Sequence, residues 1–329
     1  MRFSVFIIII IGLAILVGTG YANDKNEFVT WEGIGPDKWV STWLIRRHIA
    51  PDATIQFIKT GETPKSGTAY DIPSIPPYVR NAKTITFENL IKGYQLNDPI
   101  LNQISTIIRD IEINYWGGSQ SVATPFVEKS YRGLQMKYGR ESVPQSCYYQ
   151  LFDALYNYLK SVPEPENINI AELEKALTID SSCGSVKNIT VESDKKYVSE
   201  WHPKKILGFL GAGDKVVFID TRETDEFDEG HIPGAINIKL RDIDGELPVE
   251  VRDADVVIPY CVKDFRGFEV AKRLKQLGAR KVGLMNPWGI SGWKAVGLPV
   301  VGTRGFQQQD ALEKLKTCVN QPAKCIKDV

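Results

Sequence analysis

The amino-acid sequence predicts an α/β chain: a mainly helical α+β domain followed by a parallel sheet flanked by helices. Three observations carry this reading. Short apolar runs at 216–220, 235–238, 256–260 and 281–284 alternate with helical patterns at 203–210 and 266–277, the order of a parallel sheet covered on both faces. Before about residue 160, apolar residues instead recur at helical spacing, with little strand pattern. The run Val256-Val257-Ile258-Pro259-Tyr260 ends in Cys261, and a polar loop and a helical pattern follow. In open α/β sheets the working loops lie at the carboxyl ends of the strands, where this cysteine falls.

At 329 residues the chain is long enough for two domains. Its 40 acidic and 40 basic side chains balance, so it presents no electrostatic footprint for nucleic acid. Arg2 precedes an uncharged apolar stretch over 3–17, and Gly20-Tyr21-Ala22 places small residues where a signal peptidase reads. Residues 1–22 are therefore expected to be a signal peptide cleaved after Ala22. An uncleaved membrane anchor is the rival reading, and only then is a membrane a partner. Either way the remainder is expected to be exported, most simply to a bacterial periplasm, where disulfides persist.

Taken in order, Gly35-Pro36-Asp37 opens a helix with Trp39, Val40, Trp43 and Leu44 on one stripe, closed by Pro51. Residues 54–59 read as a strand, 61–77 as a Gly/Pro/Ser/Thr loop and 84–87 as a second short strand. Asp98-Pro99 starts a helix with Ile100, Leu101, Ile104, Ile107, Ile108 and Ile111 on one side. Helical patterns follow at 124–137 and 144–159. The segment 161–196 is polar and irregular apart from a short helical pattern at 169–177. It is read as a linker between a domain at 28–160 and one at 197–302, with a helical tail at 303–329.

Five cysteines remain after export, and an odd number in an oxidising compartment leaves at least one unpaired. Cys318 and Cys325 are close in sequence and flank a proline-containing turn, which suits a local bridge. Cys147 and Cys183 are the candidates for a second, which the sequence leaves open. The thiol left over is then Cys261. Its place between a strand and a helix N-terminus suits a thiolate. The three histidines are few, no metal-ligand spacing of recognised type occurs, and no cofactor is expected.

Three segments of the second domain resemble the rhodanese family over 198–300. They are Asp220-Thr221-Arg222-Glu223 with Phe227-Asp228-Glu229-Gly230-His231-Ile232-Pro233-Gly234-Ala235; the loop Cys261 to Arg266; and Trp288-Gly289-Ile290-Ser291-Gly292-Trp293 followed by Gly297-Leu298-Pro299-Val300. The resemblance implies a rhodanese-like sheet in which Cys261 accepts a sulfane sulfur as a persulfide and passes it on. The donor it implies is a small sulfur-containing anion such as thiosulfate, and the acceptor a thiol or a protein. Val262, Lys263, Asp264, Phe265, Arg266 and Gly267 are the expected substrate-binding loop, with Arg266 and Lys263 supplying positive charge. The loop has six residues from Cys261 to Arg266, as in sulfur-handling members; the related phosphatases use one more. Asp264 stands where many single-domain members have a glycine, and a carboxylate beside the thiolate opposes its ionisation. The resemblance marks the turn at His231, with Asp220 and Arg222, as structural.

The first domain resembles the chromate-resistance (ChrB-type) domain over about 28–160. The match rests on Asp37-Lys38, Trp43-Leu44-Ile45-Arg46-Arg47-His48-Ile49-Ala50-Pro51-Asp52-Ala53, Tyr70-Asp71-Ile72-Pro73, Thr86-Phe87-Glu88 and Leu96-Asn97-Asp98-Pro99. The family commonly places a cysteine and a histidine where this chain has Ile85 and Arg80. Arg46 and Arg47, with His48, are candidates for holding an oxyanion such as chromate or sulfate; a structural basic face is the alternative. The expectation for the whole is an exported sulfurtransferase acting through Cys261, with a possible link to chromate or oxidative stress resistance. The alternative is a non-catalytic rhodanese-like binding module coupled to an oxyanion-sensing or chromate-resistance domain.

Overall fold

The computed structural model describes residues 26–73, 75–114, 116–162, 164–179, 183, 198–243 and 245–327. The expected signal peptide and residues 184–196 of the expected linker lie outside the described residues. Among the described residues no helix is long and apolar enough to cross a membrane.

The first half is built on a parallel sheet ordered β2-β1-β3, formed by β1 (Glu27–Trp31), β2 (Thr54–Ile58) and β3 (Thr68–Ala69). Around it pack α1 (Pro36–Leu44), α2 (Thr86–Gly93), α3 (Pro99–Glu112), α4 (Thr124–Tyr138), α5 (Gln145–Ser161) and α6 (Ile170–Ala176). The Asp98 carboxylate caps α3 by accepting the Ile100 N–H at 2.9 Å, and the isoleucine stripe of α3 is buried.

Three expectations are corrected here. The stretch 84–87 is not a strand but the start of α2. Asp37 accepts the Thr86 and Phe87 N–H groups at 2.9 and 3.0 Å, and Glu88 accepts that of Ile85 at 3.1 Å. These caps fix the helix end against local β propensity, and one of them comes from 49 residues away. The loop 61–77 contains the short strand β3. Part of the expected linker is packed structure: Asn169 caps α6, Leu173 is fully buried, and the Tyr158 hydroxyl donates to the Asn169 carbonyl at 2.9 Å.

The second half contains β4 (Ser199–Trp201), α7 (Pro203–Gly211), β5 (Val216–Asp220), α8 (Thr224–Glu229), β6 (Ile236–Asn237), β7 (Val256–Tyr260), α9 (Phe265–Gln276), β8 (Gly283–Met285), α10 (Gly289–Ala295) and α11 (Gln308–Asn320). Parallel ladders β6-β5-β7 and β4-β8 are joined by a bridge between Val257 and Val282, giving the order β6-β5-β7-β8-β4. β7 is thus central, and all five of its residues are buried. β4, α8 and α10 are too short to show a period in the sequence. One face of the sheet packs Trp201, Phe218, Tyr260 and Trp293 with Leu315 of α11. The opposite face and α9 join a core that runs unbroken into the first half, where Phe265 meets Tyr131 edge-on at 5.8 Å. Disulfides link Cys147 to Cys183 and Cys318 to Cys325, and Cys261 is the free cysteine.

Candidate active site

Cys261 leaves the carboxyl end of β7 and is 2% exposed. Its carbonyl accepts the Ile290 N–H at 2.9 Å, and that of Val262 accepts the Ser291 N–H at 3.1 Å, so α10 braces the loop from below. A trans peptide directs its N–H opposite to its carbonyl; the Val262 and Lys263 N–H groups therefore face the other way, into the loop. Gly289 makes the brace possible. Its φ is +63°, and a Cβ there would lie 1.9 Å from the Lys263 carbonyl oxygen.

The sulfur itself is held in a balance of opposing effects. Burial pushes the Cys261 thiol up from its ordinary pKa, while the Arg266 guanidinium and the Gly267 N–H pull it down without overcoming the burial. The expectation of a thiol lowered by the loop is thus corrected: a thiol shut away from water is costly to ionise. Arg266 donates to both Glu226 oxygens at 2.9 and 3.2 Å and to the Glu112 carbonyl at 3.1 Å. Its Nε–H finds no acceptor among the described residues.

Each charged side chain of the loop reaches the first half of the chain. Lys263 pairs with Glu128 at 3.2 Å. Asp264, 1% exposed, pairs with Arg132 at 2.8 Å and Arg140 at 2.5 Å. Burial raises the Asp264 carboxyl, but the two guanidinium groups outweigh it and hold it below the usual aspartate range. Arg132 lies between the rings of Trp288 and Phe265, at 3.8 and 4.5 Å from their centroids. Lys263 is therefore engaged rather than free to attract a donor, and Val262 is packed into the core. Of the six expected substrate-binding residues, Phe265 and Arg266 line a cavity.

That cavity, of about 80 Å³, lies between the two halves. Its first-half wall is a buried polar cluster that sequence reasoning did not assemble. Lys38 pairs with Asp71 at 2.6 Å, and Arg80 with Glu112 at 2.8 Å, Asp37 at 3.3 Å and Asp71 at 3.5 Å. From α9, Glu269 accepts the Ile34 N–H at 2.8 Å. The available signal was charge on otherwise apolar faces, as with Glu112 at the end of the isoleucine stripe of α3.

Residues 28–159 match the family model for the ChrB C-terminal domain, and residues 203–296 match that for the rhodanese-like domain. The chain joins a ChrB C-terminal domain to a rhodanese-like domain. Comparison with curated proteins gave no match. Among solved structures, the BH2092 protein from Bacillus halodurans is 25% identical, covering 36% of this chain and 92% of its own, with a TM-score of 0.29. Thiosulfate sulfurtransferase from Pseudomonas aeruginosa is 29% identical, with a TM-score of 0.28. That match covers 32% of this chain and 20% of the sulfurtransferase, so it takes in one fifth of the latter. RPA3614 from Rhodopseudomonas palustris, described as a possible tyrosine phosphatase, is 21% identical, covering 32% of this chain and 87% of its own, with a TM-score of 0.29.

Within the rhodanese-like domain, Asp220 and Arg222 form a fully buried pair at 2.6 Å, and the His231 ring bonds the Phe227 carbonyl through Nδ1 at 2.9 Å and stacks on the Phe227 ring. All three are structural. In the ChrB C-terminal domain the candidate oxyanion residues are already engaged. Arg47 makes two bonds to Asp153 at 2.9 and 2.8 Å, Arg46 donates to the Ala53 carbonyl, and His48 packs between Trp43 and Tyr156. Arg47 and His48 fasten the turn after α1 to α5, and Arg46 holds the turn before β2, so the three do not form an open anion site. Arg80 is the centre of the polar cluster beside the cavity.

Proposed function

We propose that the protein is an exported sulfurtransferase in which Cys261 carries a sulfane sulfur as a persulfide. The Cys261 thiolate attacks the transferable sulfur of a donor; the bond holding that sulfur breaks (S–S in thiosulfate or a persulfide, C–S in mercaptopyruvate), and the remainder leaves as its anion, sulfite, a thiolate or the pyruvate enolate. A thiol or protein acceptor then takes the sulfur and returns Cys261 to its starting state. One observation carries the reading: the free cysteine among five directly follows the central strand, at the head of the loop that leads into α9, the helix that carries Arg266. The two disulfides support export, because such bonds persist in oxidising compartments.

The test is an intact mass after incubation with thiosulfate, mercaptopyruvate or glutathione persulfide. The expected result is a gain of one sulfur atom in the wild type and none in Cys261→Ser. No gain with any donor would sink the enzymatic reading. The second reading, a rhodanese-like docking module, draws on the near-complete burial of Cys261 and on the engagement of the loop charges by the ChrB C-terminal domain. That reading is favoured if no donor loads the thiol.

A further inference from the structure

An open cleft of about 590 Å³ lies by the carboxyl end of α10, away from the Cys261 loop. Its floor is apolar, formed by Leu298 and Val300 with the rings of Trp116 and Phe306. Five cations line it: Lys294 from α10, Arg304 from the loop that follows, Lys314 from α11, and Lys324 and Lys327 from the tail. No carboxylate is among its described lining residues. Glu229 pairs with Arg304 at 3.8 Å from outside the lining, with both side chains about half exposed. Lys314, Lys324 and Lys327 have no carboxylate within ion-pair distance among the described residues.

The chain holds these like charges together against their repulsion. Burial and the nearby Arg304 guanidinium keep the Lys294 ammonium below the ordinary lysine pKa. The tail that brings Lys324 and Lys327 is fastened in place. Cys325 is bridged to Cys318 of α11, and the Lys327 N–H donates to the Val296 carbonyl at 3.0 Å. Gly297, at φ +92°, leaves room for the Cys325 carbonyl, whose oxygen would lie 2.8 Å from a Cβ there. The cation cluster is therefore built by the fold.

The occupant must be anionic, and the layout narrows its class. A small dianion neutralises two of the five cations, whereas a peptide with several carboxylates reaches cations on four separate stretches of chain. The rings are not bare stacking surfaces for nucleic-acid bases. Lys294 and Arg304 lie 4.1 and 5.1 Å from the Trp116 centroid, and Lys314 lies 4.6 Å from that of Phe306. We propose that this cleft docks an acidic segment of a partner protein, with its carboxylates on the five cations and an apolar side chain over Leu298, Val300 and Phe306. No residue of the Cys261 loop lines the cleft, so the proposal stands independently of sulfur transfer.

The experiment uses the full mature chain and reads the fluorescence anisotropy of labelled probes at low and physiological ionic strength. The probes are a peptide alternating glutamate with leucine, one of equal length alternating glutamate with serine, one alternating lysine with leucine, and oligothymidylate. The glutamate–leucine peptide is expected to bind about tenfold more tightly than the glutamate–serine peptide, as one partly buried leucine adds. Its binding is expected to weaken as salt rises. Lys314→Glu with Lys324→Glu, both exposed positions, is expected to weaken it about tenfold. Lys65→Glu with Lys204→Glu makes the same change of net charge at exposed positions outside the cleft and is expected to leave binding unchanged. Circular dichroism and thermal midpoints establish that both double variants are folded. Equal losses in the two double variants overturn the site. No binding of the glutamate–leucine peptide, or equal or tighter binding of any other probe, overturns the partner class.

Discussion

Asp264 lies three residues after Cys261, yet its carboxylate is turned to Arg132 and Arg140 of the other domain. The sequence exposed the oddity of an acid at this loop position. It gave no sight of the partners, which are more than a hundred residues distant along the chain. Asp264→Asn leaves two enclosed guanidinium groups short of a counter-charge. It is expected to cost about 3 kcal/mol of stability, the penalty of breaking a buried pair from one side, readable as a lowered urea midpoint. Glu269 makes a separate prediction in pH. Burial pushes its carboxyl from 4.5 up to about 7, so the folded state holds the proton more tightly than the unfolded chain. Its contribution to stability is complete below about pH 4.5 and is lost as pH rises through about 7. Thermal midpoints are expected to fall over that window in the wild type, and Glu269→Gln is expected to remove this component. A wild type and variant with parallel profiles would refute the assignment. Asp264 acts in the opposite sense, since its lowered value is a stabilisation that is lost only as pH falls below the ordinary aspartate range.

Among the elements, α10 and α9 have duties that periodicity alone does not disclose. The Trp288-Gly289 motif was visible as part of a family resemblance. Its physical role, holding the Cys261 and Val262 carbonyls, depends on a left-handed backbone at the first residue of a seven-residue helix. Gly289→Ala is expected to shift the loop and lower sulfur transfer by about 100-fold, the typical effect of displacing a reacting group by about 1 Å. Circular dichroism together with the rate of persulfide formation separates this from unfolding. Long elements were legible because their stripes repeat: α3 with its isoleucines is the plainest. The start of α2 was not, because it is fixed by Asp37, a residue in α1 that has no local relation to it.

For the whole molecule, the sequence suggested two bodies on a linker, whereas the structure has a continuous apolar core through the domain boundary. The apolar stripe of α9 revealed that the helix is half buried. It did not distinguish a sheet on one side from a sheet and a second domain on both. An excised 197–302 fragment would expose Phe265 and Phe268 and strip Asp264 of both arginines. The fragment is expected to aggregate or melt well below the full chain, while the full chain unfolds in one transition by both fluorescence and circular dichroism. Two resolved transitions would show that the domains are energetically separate. The Asp264 pairs also have an evolutionary consequence. A descendant that lost the first domain would lose both arginines with it, and the orphaned aspartate would then hinder its own thiolate. The residue at this position is therefore expected to change when the domain is lost. An aspartate marks a loop enclosed by a neighbouring domain, and a small uncharged residue marks one that faces its substrates alone.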